Sequence, residues 1–356
     1  MNQLLIIDIA DKILSEDDVV LLAHPLVAGV LLFTRNFENQ EQLQALTSAI
    51  HAIRPDILIA VDHEGGYVQR FQRHGFSPLP AAEVFGKVYD VDPNVAKTLA
   101  RHYGLTMAQE LLACGVDVSL APVLDVDGGN KVISGLGRAF HHAPKVVGIL
   151  TSAYIDGMNE AGMPATGKHY PGHGSVLGDS HLTMPVCNKT WDALEEQDLR
   201  PFIDLIHAKK LAAIMPAHVV YQAIDPNNPA GFSKICLDGL RAYGFDGLIM
   251  SDCLGMKGSD VGTLFTRATR ALEAGCDVLI VCNQTRAHLK SLMDDLIRHQ
   301  VLSDERAVVQ QRRFQDFLRA LKPKIKQHFK SSVYTPVLDD VKSSNEFEQF
   351  NHTRGV

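Results

Sequence analysis

Short runs of apolar, often β-branched residues recur along this chain, separated by longer segments in which apolar residues return every three or four positions. Leu4–Ile7, Gly29–Phe33, Ile57–Val61, Val116–Leu120, Ala165–Lys168, Ala212–Met215, Gly247–Met250 and Val278–Val281 each read as a buried strand. Their apolar character is nearly continuous rather than alternating, as expected of parallel strands covered on both faces. The intervening segments are long enough for crossover helices. In one of them Val95, Leu99, Tyr103, Met107 and Leu111 recur every four residues as an apolar stripe. Eight strands, each followed by a helix, predict an α/β fold of the (β/α)8 TIM-barrel type, with an open doubly wound sheet as the alternative. No linker interrupts the pattern. From Lys322 the sequence turns polar and charged and ends SSNEFEQFNHTRGV. One barrel over residues 1–321 is therefore expected, followed by a last helix and a loose tail over 322–356.

Composition narrows the picture. The 356 residues are 46% hydrophobic, enough for a core of that size, and the net charge is −7. With no long Lys/Arg run, neither nucleic acid nor an anionic membrane surface is an expected partner. Asp8 and Asp11 interrupt the only apolar run near the N-terminus, and no basic leader or cleavage site is present. No stretch of roughly eighteen uncharged apolar residues occurs, so a membrane span is not expected. The six cysteines form no C-x-x-C pair and several fall in strand-like runs, where reduced cysteine acts as a small hydrophobe. A cytoplasmic monomer is the expectation.

A barrel carries its chemistry at the carboxyl ends of its strands. Here the third predicted strand runs into Asp62-His63-Glu64-Gly65-Gly66, with Arg70 following. The fourth is followed by Asp125 and Asp127, and later by Arg138; the fifth ends in Lys168-His169; the sixth and seventh lead to His218 and Asp252. One or two capping aspartates would be ordinary, and an N-cap is the plain reading of Asp252 taken alone. Carboxylate, cation or imidazole at five consecutive strand ends predicts a pocket for a polar small molecule.

The connection after the fifth strand, Lys168-His-Tyr-Pro-Gly-His-Gly-Ser-Val-Leu-Gly-Asp-Ser-His181, is long and rich in glycine, the character of a binding element or lid. Asp179 and His181, two residues apart, are suited to act as a unit. The carboxylate would fix the ring tautomer and raise the imidazole pKa, keeping it a proton donor near neutrality.

Asp62-His-Glu-Gly-Gly-Tyr-Val-Gln-Arg70, Lys168-His-Tyr-Pro-Gly-His-Gly, Asp179-Ser-His181 and Ser251-Asp252-Cys-Leu-Gly-Met256 together resemble glycoside hydrolase family three. Within it they are most similar to the single-domain bacterial β-N-acetylglucosaminidases of cell-wall recycling, the NagZ group. The resemblance runs from the first strand to about residue 300. It implies a (β/α)8 barrel and a two-step, configuration-retaining hydrolysis without metal or cofactor. Asp252 would be the nucleophile, and His181, oriented by Asp179, the acid/base. Asp62, Arg70, Lys168 and His169 would hold the sugar, with Arg138 a further contact. The implied substrate is N-acetylglucosamine β-1,4-linked to anhydro-N-acetylmuramic acid carrying a peptide. The sequence departs from the group after Asp252: Cys253 and Gly255 intervene where a second Asp and then Leu-Ser-Met are usual. The segment Ser134–Phe140 around Arg138 is also looser than the usual pattern.

Three other readings compete. A metal-dependent hydrolase would draw ligands from His169, His173, His181, His218, Asp179 and Asp252. It lacks the H-x-H and H-E-x-x-H signatures and sets Lys168 beside the proposed ion. A non-catalytic sugar-binding barrel would have no need of Asp252 together with the Asp179–His181 pair. A phosphorylase would use the same residues, since a neutralisable imidazole tolerates an incoming phosphate.

Overall fold

Each predicted apolar run forms a strand. The computed structural model describes residues 3–176, 184–259 and 261–321, and within them the strands are β1 (Leu5–Ile7), β2 (Val27–Leu32), β3 (Leu58–Val61), β4 (Val118–Ser119), β5 (Thr166–Tyr170), β6 (Ala213–Pro216), β7 (Leu248–Ile249) and β8 (Leu279–Val281). They pair in parallel as two sheets, in the orders β8-β1-β2-β3-β4 and β7-β6-β5. Backbone bonds run between the sheets at both margins. Val123, beyond β4, pairs with Lys168 of β5, and Met250, beyond β7, pairs with Val278 before β8, both in parallel.

Because successive strand residues point to opposite faces, β1, β2, β3, β6, β7 and β8 each divide their side chains between two cores. Ile6, Leu31, Ala60, Met215, Leu248 and Ile280 fall in one cluster, which both sheets share. Their neighbours Leu5, Ile7, Ile59, Ile214, Ile249 and Leu279 fall in another, together with the helices. Both faces are covered, which is why the strands lack polar alternation. Phe314 and Phe317, from the helix Asp304–Ala320, complete the first cluster.

The helices between strands start on side-chain caps: Asn39, Asp92, Ser233, Thr263, Thr285 and Ser303 each accept an N–H of the first turn. The apolar stripe predicted at Val95, Leu99, Tyr103, Met107 and Leu111 is partly displaced in the helix Pro93–Ala113. Met107 and Leu111 are buried, but the rest of the buried seam is Ala96, Ala100, Gly104 and Ala108. A strict four-residue repeat outruns the 3.6 residues of a turn, so its upper members rotate to the edge of the contact. Small residues hold the centre because the neighbouring helix, Pro144–Ala161, comes very close. A Cβ on Gly104 would stand 2.2 Å from the Tyr154 carbonyl oxygen, and one on Gly157 would stand 2.0 Å from that of Arg101.

The described residues lie in one compact unit, Met1–Pro323. The last helix and tail expected over 322–356 lie outside the described residues. No helix among those described is long and apolar enough to cross a membrane.

His63 shows how tightly the third strand end is packed. It is fully buried, with ring centroids 5.6 Å from both Phe71 and Phe76. Neither ring nitrogen has a hydrogen-bond partner among the described residues. Burial, helped by the Arg70 charge, pushes its pKa down to about 3. An unfolded histidine takes up a proton near pH 6.5, whereas the folded chain refuses it until about 3. Stability therefore falls as pH drops through that window. Between pH 7 and 5 this single group should account for about 2 kcal/mol of lost stability. His63→Leu should remove that share of the pH dependence in urea denaturation; an equal fall in both proteins would show that His63 is not the group responsible.

Candidate active site

The chain leaving β3 is bent back into a tight hairpin, His63–Gly65 pairing antiparallel with Val68–Gln69. Gly65 and Gly66 turn it with φ of +101° and +56°, where side chains are disfavoured. A Cβ on Gly65 would also stand 2.5 Å from the Pro80 carbonyl oxygen. At its base the Ser119 hydroxyl donates to the His63 carbonyl at 3.1 Å and accepts the His63 N–H at 3.2 Å, so β4 holds the hairpin in place. This geometry brings Asp62 and Glu64, two residues apart on extended backbone, to the end of β5.

There the two carboxylates grip Lys168. Its Nζ lies 2.9 Å from Asp62 Oδ1 and 2.6 Å from Glu64 Oε1, with only 3% of the side chain exposed. Burial opposes the charge, but Asp62 and Glu64 outweigh it and raise the lysine pKa, so Lys168 is an ammonium at neutral pH. Glu64 is also clasped by Arg138, with Nε and one terminal guanidinium nitrogen each 2.8 Å from a carboxylate oxygen. Burial would raise the Glu64 pKa, but Arg138 and Lys168 more than offset it and hold Glu64 well below the usual carboxylate range. Arg138 spends a further N–H on the Val132 carbonyl. Arg70, about a third exposed, stands 3.6 Å from Asp62 Oδ2. Three cations thus meet two carboxylates, a set rich in fixed donors for hydroxyl and amide groups.

A second constellation lies beside the first. Asp125, fully buried after β4, accepts the backbone N–H of His173 at 2.7 Å and that of His169 at 3.2 Å. Its Oδ2 is 2.7 Å from His169 Nδ1. Burial works against the charge, but the His169 and His173 contacts prevail and lower the Asp125 pKa. Facing an ionised carboxylate, His169 Nδ1 is the donor in this contact. His173 and His218 are both buried, and burial lowers the pKa of each. The carboxylate of Asp252 acts in the opposite sense on both, so it lies within electrostatic reach of the two rings.

Asp252 follows β7 and is partly exposed; its Oδ1 accepts the N–H of Cys253 at 2.7 Å. The carbonyl of Cys253 accepts from His218 Nε2 at 3.2 Å. Backbone rather than a flexible side chain thus sets both groups.

The structure therefore brings Asp62, Arg70, Arg138 and Lys168 into one charge network, and places His169 and Asp252 beside His173 and His218. Asp127, by contrast, is exposed and bonds the Gly129 amide locally. Asp179 and His181 lie outside the described residues. On either side of them the connection is tied to one buried carboxylate: Ser175 Oγ donates to Asp198 Oδ1, and Lys189 Nζ pairs with Asp198 Oδ2. Sequence reasoning assigned no role to Glu64 or Asp125. The spacing of Glu64 from Asp62 was a usable signal, since alternate residues on extended chain share a side. For Asp125 there was none, because its partners, two backbone amides and the His169 ring, lie over forty residues away. Among the described residues no three His, Cys, Asp or Glu side chains are grouped as metal ligands. A cavity of about 310 Å³ lies elsewhere, lined in part by Arg241, Arg306 and Arg313, two of which are paired with Asp277.

Residues 1–315 match the N-terminal domain of glycosyl hydrolase family 3. A β-hexosaminidase from Shewanella frigidimarina is 50% identical over 284 residues, covering 79% of this chain and 82% of that protein. Another from Chromobacterium violaceum is 51% identical over 282 residues, 78% of each. Among solved structures, NagZ from Neisseria gonorrhoeae in complex with N-trifluoroacetyl-D-glucosamine superposes with a TM-score of 0.77 at 41% identity. That alignment covers 90% of this chain and 96% of that one.

Glu64→Gln would keep the side-chain shape while stripping the buried cations of one counter-charge. A loss of about 3–5 kcal/mol is expected, the usual cost of leaving a buried charge unpaired. It should be read as a lowered unfolding midpoint in calorimetry; a loss below about 1 kcal/mol would mean the pair behaves as an ordinary surface salt bridge.

Proposed function

The chain belongs to glycosyl hydrolase family 3, and from that premise we propose that it is a retaining exo-β-N-acetylglucosaminidase. The observation that carries this reading is the Asp252 carboxylate. It is held by a backbone amide at the end of β7, within electrostatic reach of two buried imidazoles, in a chain whose β3 and β5 ends carry a network of buried cations and carboxylates. The two sheets, linked by bridges at both margins and sharing one core, are read as a closed (β/α)8 barrel with this site at its carboxyl end.

In this mechanism Asp252 attacks the anomeric carbon and forms a covalent glycosyl ester while the aglycone oxygen leaves. Burial lowers the pKa of His173 and His218, which favours their neutral forms beside the nucleophile. His181, oriented by Asp179, protonates the departing oxygen and then takes a proton from the water that releases the sugar. A loop imidazole thus takes the place of the second carboxylate found in most glycosidases. Asp62, Arg70, Lys168 and His169 hold the sugar hydroxyls and the acetamido group, with Arg138 behind Glu64 as a further contact. The substrate proposed is N-acetylglucosamine β-1,4-linked to an anhydro-N-acetylmuramic acid peptide, consumed in the cytoplasm during cell-wall recycling.

A 2-acetamido-5-fluoro glycosyl fluoride should label Asp252, and peptide mass spectrometry should locate the adduct there. Asp252→Ala should lower turnover of p-nitrophenyl N-acetyl-β-glucosaminide by at least about 10³-fold with the fold retained. An adduct on another residue, or no adduct with a bound metal required for turnover, would falsify the assignment. His181→Ala should slow substrates with poor leaving groups by about 10²–10⁴ and activated aryl glycosides far less. Equal losses on both would remove it as the acid.

A further inference from the structure

Cys253 directly follows the candidate nucleophile, and unlike the other five cysteines it is not buried. Its sulfur rests on the backbone beyond β8. The Cys282 N–H donates to Cys253 Sγ at 3.4 Å, and the Cys282 carbonyl oxygen lies 4.0 Å from it. Gly255 makes this approach possible, because a Cβ there would stand 2.6 Å from the Cys282 oxygen and 3.5 Å from Cys253 Sγ. The Cys253 sulfur therefore lies against the peptide units that flank the Cys282 thiol. The contact with the Cys282 thiol, joined by the amides of Cys282 and Gly255, outweighs burial and draws the Cys253 pKa below its ordinary value. Burial, followed by the nearness of Cys253, drives that of Cys282 far up. One sulfur ionises more readily than an ordinary cysteine, and its neighbour stays a thiol. That asymmetry is the usual division between an attacking and a resolving cysteine.

The peptide units of Cys253 are also the scaffold of the site, since its N–H holds Asp252 and its carbonyl holds His218. We propose that Cys253 is a peroxide-reactive thiol whose oxidation to a disulfide with Cys282 reversibly switches off the neighbouring site. The disulfide stands on the contact of the Cys253 sulfur with the Cys282 backbone, while the switch rests on the reading of Asp252 given above. The Cys253 thiolate attacks one oxygen of a hydroperoxide, the O–O bond breaks, and Cys253 becomes a sulfenic acid as hydroxide leaves. Cys282 sulfur then displaces that oxygen as water, and its own proton completes the balance. Two thiols and one hydrogen peroxide give one disulfide and two waters. Closing an S–S bond of about 2.05 Å draws the Cys253 backbone toward β8, away from the positions that fix Asp252 and His218.

The full chain would be treated with hydrogen peroxide, digested without reduction, and assayed on p-nitrophenyl N-acetyl-β-glucosaminide before and after dithiothreitol. A Cys253–Cys282 linked peptide should appear while turnover falls by about 10²-fold, the usual cost of misplacing a catalytic group by an ångström. Dithiothreitol should reverse both. Cys253→Ser and Cys282→Ser should each resist inactivation, and Cys282→Ser should accumulate a dimedone-reactive sulfenic acid at position 253. A free Cys253 thiol after treatment overturns the proposal. So does a linked peptide with unchanged turnover, or inactivation that persists in Cys253→Ser. A linked peptide in a chain devoid of glycosidase turnover would instead sink the function proposed above and leave the disulfide standing.

Discussion

The strand ends are organised by the need to keep Lys168 charged where almost no water reaches it. An ammonium buried alone would give up its proton. Asp62 and Glu64 prevent this from the chain that follows β3, and Arg138, arriving from beyond β4, completes the neutralisation of Glu64. Three successive strand ends are thereby bound into one electrostatic unit before any ligand arrives. Such a unit cannot be half built, because losing one member strands an unpaired charge in a dry setting. The reward is preorganisation: donors already desolvated and fixed need little rearrangement when a sugar replaces the remaining solvent.

Asp125 repeats the device with dipoles. It draws in the amides of His169 and His173 and sets the His169 ring, so the first turn after β5 is dictated by the segment after β4. Asp198 then secures the connection on both sides of residues 177–183. Asp252 and the residues proposed to bind the sugar are thus fixed by backbone contacts, and the proposed acid/base falls in a segment whose two flanks share an anchor. Rigid binding and a separately delivered proton are compatible demands when they fall on different parts of the chain.

Much of this could be read from the sequence, for a physical reason. Parallel strands buried on two faces must be apolar throughout, so all eight announced themselves as runs, even where only two residues, as at Val118–Ser119 or Leu248–Ile249, pair regularly. Ionisable residues at the ends of such runs have few structural excuses, and Asp62, Lys168, His169 and Asp252 stood out accordingly. What stayed hidden was pairing across sequence distance. Glu64 looked like part of a motif rather than the hinge of a network, because Arg138 lies seventy-four residues away. Asp125 was seen but given no role, since backbone amides carry no sequence signal. The stripe through Val95 and Tyr103 misled because a period near four mimics a helix face only over a short span.

The first strand hydrogen-bonds to the eighth, Leu5 opposite Leu279 and Ile7 opposite Val281, and Phe314 and Phe317 fill the core both sheets share. Leu5 and Leu279 lie 274 residues apart (279 − 5), and a ribosome adds about 5–20 residues per second. β1 must therefore wait many seconds for its neighbour while the earlier strands are already in the cell. During that interval its unpaired edge and apolar face are open to pairing with other chains, until β8 and Phe317 have emerged to cover them.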